Sequence, residues 1–173
     1  MKGDKNMQKY TSRSTSINST RLPVVYRKIR IVPGTNVFDF GCGRYTDHIR
    51  AYLYQHNMHL LPYDPFNQSE STNKESIRTL LINGCSAIVC SNVLNVIDDD
   101  LTIVSILKDI STFVRLGATA YLTVYEGNRT GIGKQTGKDQ WQRNQPLRTY
   151  LQYVPDYVDA HIERGMIVLE PKC

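Results

Sequence analysis

The stretch Val37-Phe38-Asp39-Phe40-Gly41-Cys42-Gly43-Arg44 decides how the chain is read. An apolar run broken by one carboxylate has the composition of a buried strand. It ends in a turn with two glycines, Gly41 and Gly43, and a helical pattern follows from Thr46 to Asn57. Glycines there allow positive φ and remove a Cβ where a ligand approaches the backbone. The helix that follows presents free N–H groups. A dinucleotide site requires a third glycine in the G-x-G-x-x-G spacing, but position 46 is Thr46, so that fingerprint fails. The phosphate-binding P-loop fails as well, since no Gly-Lys-Ser/Thr follows.

Outward from this turn, strand and helix patterns alternate. Asn36 to Phe40, His59 to Tyr63, Cys85 to Cys90 and Ala118 to Tyr125 read as strands. Thr46 to Asn57, Asn73 to Leu81 and Asp98 to Leu116 read as helices. Asn73 suits a helix cap with Gly84 past the end, and Asp98, Asp99 and Asp100 favour the positive end of the longest helix. Leu22 to Ile29 has the pattern of a short helix with Pro23 in its first turn. Residues 127–138 show no period and read as a glycine-rich loop. Gln140 to Tyr153 reads as helical, interrupted at Pro146. Val158 to Arg164 and Met166 to Glu170, joined at Gly165, read as a closing hairpin. The expected fold is α/β: a Rossmann-like, doubly wound, mostly parallel sheet with a C-terminal antiparallel hairpin.

Two further segments stand at strand ends. Asp64 ends the second strand, 25 positions after Asp39. An acidic residue there can accept two hydrogen bonds from ribose hydroxyls. Cys90-Ser91-Asn92-Val93-Leu94-Asn95 leaves the third strand just before a helix. Each feature alone has a plain structural reading, as a turn or a strand end. The three together, in this order, resemble the class I S-adenosylmethionine-dependent methyltransferases, and more loosely the compact members of phage and mobile elements. The resemblance runs from about residue 35 to 126. It implies that Asp39, Gly41 and Gly43 lie near the amino-acid end of S-adenosylmethionine, Asp64 near its ribose, and Ser91 and Asn92 beneath its sulfonium.

The chain departs from the family in two places. Tyr45 stands where a further glycine is common. Ser91 follows Asp64 by only 27 positions, enough for one helix where the family fits a helix, a strand and a helix. The expected sheet is therefore shortened in its middle, and no adenine contact is named.

Methyl transfer from a sulfonium is an in-line displacement, so the protein chiefly aligns the acceptor. No catalytic triad is expected and no catalytic side chain is named. The D/N/S-P-P-Y/F/W run of amino-methylating nucleic-acid enzymes is absent, as is any Pro-Cys pair. Cys90 reads as a buried, inert thiol. The loop 125–136 is the expected acceptor-facing segment, with Arg129, Lys134, Trp141 and Arg143 as candidate substrate contacts. Trp141 could stack on a base and Arg143 could meet a phosphate. Trp141 also fits a plain role as an anchor to the core.

Composition bounds the rest. The chain has 173 residues and a net charge of +5, which suits one ordinary domain and leaves no room for a separate recognition domain. Residues 1–30 hold eight basic groups against one acidic, or +7, and the remainder nets −2. The expected organisation is a flexible basic arm over 1–20 and a single methyltransferase-like domain over 21–173. A second basic excess lies in 127–150. Two such segments could guide nucleic acid, and the same facts fit a solubilising tail and a solvated loop. No apolar run approaches a membrane span. The four cysteines have no Cys/His metal spacing, and free thiols suggest a cytoplasmic location.

The expected function is a methyltransferase acting on nucleic acid. The alternatives are a non-catalytic module of the same fold, which binds nucleic acid or a protein, and a small-molecule methyltransferase.

Overall fold

The computed structural model describes residues 17–137 and 140–172. The expected arm therefore lies mostly outside the described residues, as do Lys138 and Asp139. A six-stranded sheet forms the centre: β1 (Asn36–Phe40), β2 (His59–Tyr63), β3 (Ala87–Ser91), β4 (Thr119–Thr123), β7 (Val158–Glu163) and β8 (Met166–Pro171). Its spatial order is β2-β1-β3-β4-β8-β7. The first four strands are parallel; β8 runs antiparallel to β4 and to β7. This is the Rossmann-like α/β sheet with a closing hairpin that the strand and helix pattern implied.

Helices cover both faces, which is why the central strands are apolar on both sides. Helix α1 (Asp47–Gln55) packs Ile49 and Leu53 with Val37, Ala87, Val89 and Tyr121. Helices α2 (Glu70–Asn83) and α3 (Asp100–Arg115) pack Leu80, Ile103, Leu107, Ile110 and Val114 with Phe38, Ile88, Cys90 and Leu122. Alternate residues of each strand thus join opposite cores. Right-handed crossovers require this split: the chain moves from β1 to β2 in one direction, then returns past β1 to β3 in the other.

Only α2 separates β2 from β3, so the sheet ends at β2. Its free edge is blunted by Pro62. The amides of β2 that face β1 belong to odd positions, as the His59 N–H to Thr35 O bond of 3.0 Å shows. The Pro62 nitrogen therefore faces outward, where the absent N–H leaves no donor for a further strand. At the opposite edge, β7 exposes Asp159 and Glu163, charges that likewise disfavour pairing.

Several boundaries differ from expectation. Ser69, not Asn73, caps α2, accepting from Thr72 N–H at 3.1 Å. Asn73 lies one turn inside and clamps the Asp64 backbone instead, at 3.0 Å to both its N–H and its C=O. The segment 140–153 is not one helix. β5 (Lys134–Gly137) and β6 (Gln140–Gln142) form a small antiparallel pair, followed by a 3-10 turn, Leu147–Tyr153. Asn144, at φ 56°, breaks the helical pattern, and Pro146 caps the turn that follows. The loop 127–138 accordingly carries a strand. Leu22 to Ile29 contains only the 3-10 turn Val24–Arg27.

Leu107 is fully buried while Leu101, on the same helix, is 78% exposed. Leu107→Ala should cost roughly 2–5 kcal/mol in urea unfolding. Leu101→Ala should stay within about 0.5 kcal/mol; equal effects would contradict the orientation of α3.

Candidate functional site

The strand order reverses between β1 and β3, and α/β sheets bind ligands at the carboxyl ends of strands beside such a switch point. Every expected cofactor residue stands on this rim. Gly41 and Gly43 follow β1 with φ of 81° and 76°. The turn is pinned to β2: the Gly41 and Cys42 N–H groups donate to Tyr63 O at 2.7 and 3.2 Å. Gln68 Nε2 donates to Gly43 O at 2.7 Å. The two glycines are also required by close neighbours. A Cβ on Gly41 would stand 2.3 Å from Val93 Cγ2, and one on Gly43 would stand 3.0 Å from Ile17 O. The segments after β3 and before the 3-10 turn thus bracket the glycine turn, and Arg44 N–H donates to Ile17 O at 3.0 Å.

Asp64 is buried and heavily occupied. Its Oδ2 accepts from Gly43 N–H at 3.0 Å and from Asn67 Nδ2 at 3.1 Å. Its Oδ1 accepts from Phe66 N–H and Asn67 N–H, both at 2.9 Å, and from Asn67 Nδ2 at 3.1 Å. A ribose diol would have to share this carboxylate with donors of the chain itself. Ser91 Oγ accepts from Thr123 Oγ1 at 2.9 Å. Asn92 is exposed in a left-handed conformation, φ 57°, and its N–H donates to Thr123 O at 2.8 Å.

Asp39 is the second buried carboxyl of the rim. Tyr26, wholly buried, donates its hydroxyl to Asp39 Oδ2 at 2.6 Å. Burial pushes the Asp39 carboxyl up to about 7; the Tyr26 hydrogen bond opposes the rise and Asp64 adds to it. Burial also pushes the thiols of Cys42 and Cys90 upward, with Asp39 reinforcing both. Cys90 is therefore a packed thiol and not a nucleophile.

The four candidate substrate residues are not brought to one surface. Arg129 is exposed and pairs with Glu126 at 2.5 Å, and Lys134 is exposed on β5. Trp141, half-buried, lies against Gly133, where a Cβ would meet its Cζ2 at 2.5 Å. The phosphate role expected of Arg143 is corrected. Its side chain is buried, and the guanidinium donates to Ile97 O at 3.0 Å, to Gln145 Oε1 at 3.2 Å, and to Asp100. It clamps the segment after β3 to the start of α3.

Sequence reading missed Tyr26, Asn67, Gln68 and Asn73. Asn67 had a signal, because Asp-Pro-x-Asn favours a side-chain-stabilised turn. Tyr26 had none: it lies 13 positions before Asp39 and is brought there only by the packing of the 3-10 turn on the sheet.

Among the described residues no group of three or more His, Cys, Asp or Glu is placed to hold a metal, and no helix is long and apolar enough to cross a membrane. Neither a protein-family profile nor a curated protein matches the sequence. Solved structures are similar in fold. A TehB-like SAM-dependent methyltransferase from Corynebacterium glutamicum superposes with TM-score 0.48 at 16% identity, over 82% of each chain. Coclaurine N-methyltransferase, bound to N-methylheliamine and SAH, gives 0.46 at 16% identity, over 80% of this chain and 48% of that one. An uncharacterised protein from Listeria monocytogenes gives 0.43 at 11% identity, over 88% and 69%.

Two outcomes test the geometry. A folded-state value near 7 for Asp39, against an ordinary 3.8, means the folded protein holds a proton that the unfolded chain has lost. This contribution is fully present below about pH 4 and disappears as pH rises through 7. Melting temperature should therefore decline between pH 5 and 8, and Asp39→Asn should flatten that decline. Gly41→Ala should destabilise by roughly 1–3 kcal/mol through its positive φ, with a further steric part that Val93→Ala relieves in a double variant.

Proposed function

We propose that the chain is an S-adenosylmethionine-dependent methyltransferase with nucleic acid as acceptor. The observation that carries the cofactor assignment is the rim at the β1/β3 reversal. There a positive-φ Gly-x-Gly turn, a buried carboxylate and the Ser91-Asn92 strand end meet. The chemistry fits. S-adenosylmethionine is a cation with an amino-acid end, and it supplies an activated methyl group when bound. Asp39 offers a negative charge to that end. Gly41 and Gly43 give the turn its positive φ, with Val93 and Ile17 packed beside them. Asp64, by holding Gly43 N–H, fixes the turn in the shape that receives the ligand. Asn92 stands exposed at the end of β3, on the acceptor side. No side chain is required to activate the methyl group, so positioning is the main task of the protein.

Charge supports the acceptor assignment. Residues 1–30 carry +7 and the remainder nets −2; Lys134 adds exposed positive charge beyond β4, where Arg129 is paired with Glu126. Polyanion binding through such segments is electrostatic and depends on salt.

A non-catalytic module is the second reading, and one observation favours it: Asp64 is already saturated by five hydrogen bonds from the chain.

Titration calorimetry with S-adenosylmethionine and S-adenosylhomocysteine separates the two readings. The first expects saturable binding and transfer of labelled methyl to RNA or DNA; heat without transfer to any acceptor supports the second. Deletion of 1–20 should weaken nucleic-acid binding and reduce its salt slope by roughly 0.9 for each phosphate that the arm neutralises. An unchanged slope would remove the arm from the interface.

A further inference from the structure

Asp39 presents an electrostatic problem that the described residues do not solve. A buried carboxylate is normally paired with a cation or satisfied by several donors. Among the described residues no Lys, Arg or His pairs with Asp39, and Tyr26 is the one side chain that donates to it. The other groups that face it cannot compensate its charge. Cys42 comes from the glycine turn, Cys90 from β3 and Asp64 from the end of β2; two are neutral thiols and the third is a further carboxyl. A plain structural role would be served by an apolar or amide side chain at this position. Instead the chain has an acid here, two residues before a turn with two glycines. It also supplies from outside the sheet one O–H aimed at that acid.

We propose that Tyr26 and Asp39 form a proton-linked receptor for the cationic amino group of the cofactor, in which binding expels the Asp39 proton to solvent. This rests on the cofactor reading above and extends it to Tyr26 and to the protonation state. Near neutral pH the free protein is a mixture of carboxylic acid and carboxylate. The acid form is favoured by burial and the carboxylate by the hydroxyl of Tyr26. An ammonium group brought beside Asp39 attracts only the carboxylate. The proton then leaves to the buffer, and the ligand supplies the missing counter-charge. Tyr26 does not donate its own proton, since burial and the adjoining acid hold its phenol far above the usual range. It is a positioning residue, which holds Oδ2 and keeps the carboxylate within reach of neutral pH.

The test is calorimetric titration of the full chain with S-adenosylhomocysteine, which retains the amino-acid end, in buffers of differing ionisation enthalpy at pH 6, 7 and 8. The expected result is proton release at pH 6 and 7, with affinity about tenfold tighter at pH 8 than at pH 6. Tyr26→Phe should widen that ratio beyond tenfold, because the acid form gains ground. Asp39→Asn should bind more weakly, with no proton release and no dependence on pH. Binding by the wild type with no proton release and a flat profile overturns this proposal and leaves the cofactor reading intact. Absence of binding at every pH overturns the cofactor reading itself. A Tyr26→Phe variant whose affinity drops equally at all three pH values reduces Tyr26 to a packing role. If that variant does not fold, proton release by the wild type and its loss in Asp39→Asn still decide whether Asp39 is the proton-linked group.

Discussion

The hydrogen bond from Gly43 N–H to Asp64 Oδ2 joins the two halves of the rim. Asp64 terminates β2 and Gly43 closes the turn after β1, so this contact fixes the glycine turn relative to the sheet. The same carboxylate organises the residues beyond it, accepting from Phe66 and Asn67, while Asn73 grips its backbone from α2. A turn with two positive-φ glycines has little conformational preference of its own. Its shape is imposed by these partners, by Tyr63 O on the β2 side and by Val93 from the segment after β3. The ends of β1 and β2 thus meet at one carboxylate and one carbonyl, with the segment after β3 packed against them through Val93.

The shortened middle of the sheet explains why Asp64 is so busy. With one helix between β2 and β3, α2 must start almost at once after β2. The short link 65–69 makes the entire reversal, and a chain turning so sharply leaves several N–H groups without partners. Asp64 accepts two of them. The same economy makes β2 an edge, which Pro62 protects. The short link thus gives a carboxylate a structural task at the position where ligand binding was expected of it.

Strands β1 and β2 are legible in the sequence to the residue, because buried parallel strands are short apolar runs ended by glycine, proline or aspartate. Helix α3, read as Asp98 to Leu116 from its acidic start and Gly117, runs from Asp100 to Arg115. The segment 127–153 is not legible in this way. Gln140 to Tyr153 has good helix formers, but its side chains answer to distant partners. Gln142 meets Asn95 and the carbonyl of Tyr125, and Arg143 N–H reaches Asn95 O. Tertiary hydrogen bonds override local propensity here. The rim residues stand out because strand ends bind ligands for a topological reason. Tyr26 does not, because its role depends on a fold contact and on no spacing along the chain.

Arg143 shows why positive charge along a sequence is a weak guide to a binding surface. In a stretch of net +4 over residues 127–150, the arginine nearest the tryptophan is spent internally. A guanidinium has five N–H donors in a fixed fork, well suited to the exposed ends of secondary structure. Here it takes the Ile97 carbonyl, the Asp100 carboxylate at the start of α3 and the Gln145 amide together. That arrangement locks the segment carrying Asn92 to Leu94 against α3, and so holds Val93 where it touches Gly41. The residue expected to meet the substrate instead supports, from the far end of that segment, the wall beside the glycine turn that follows Asp39.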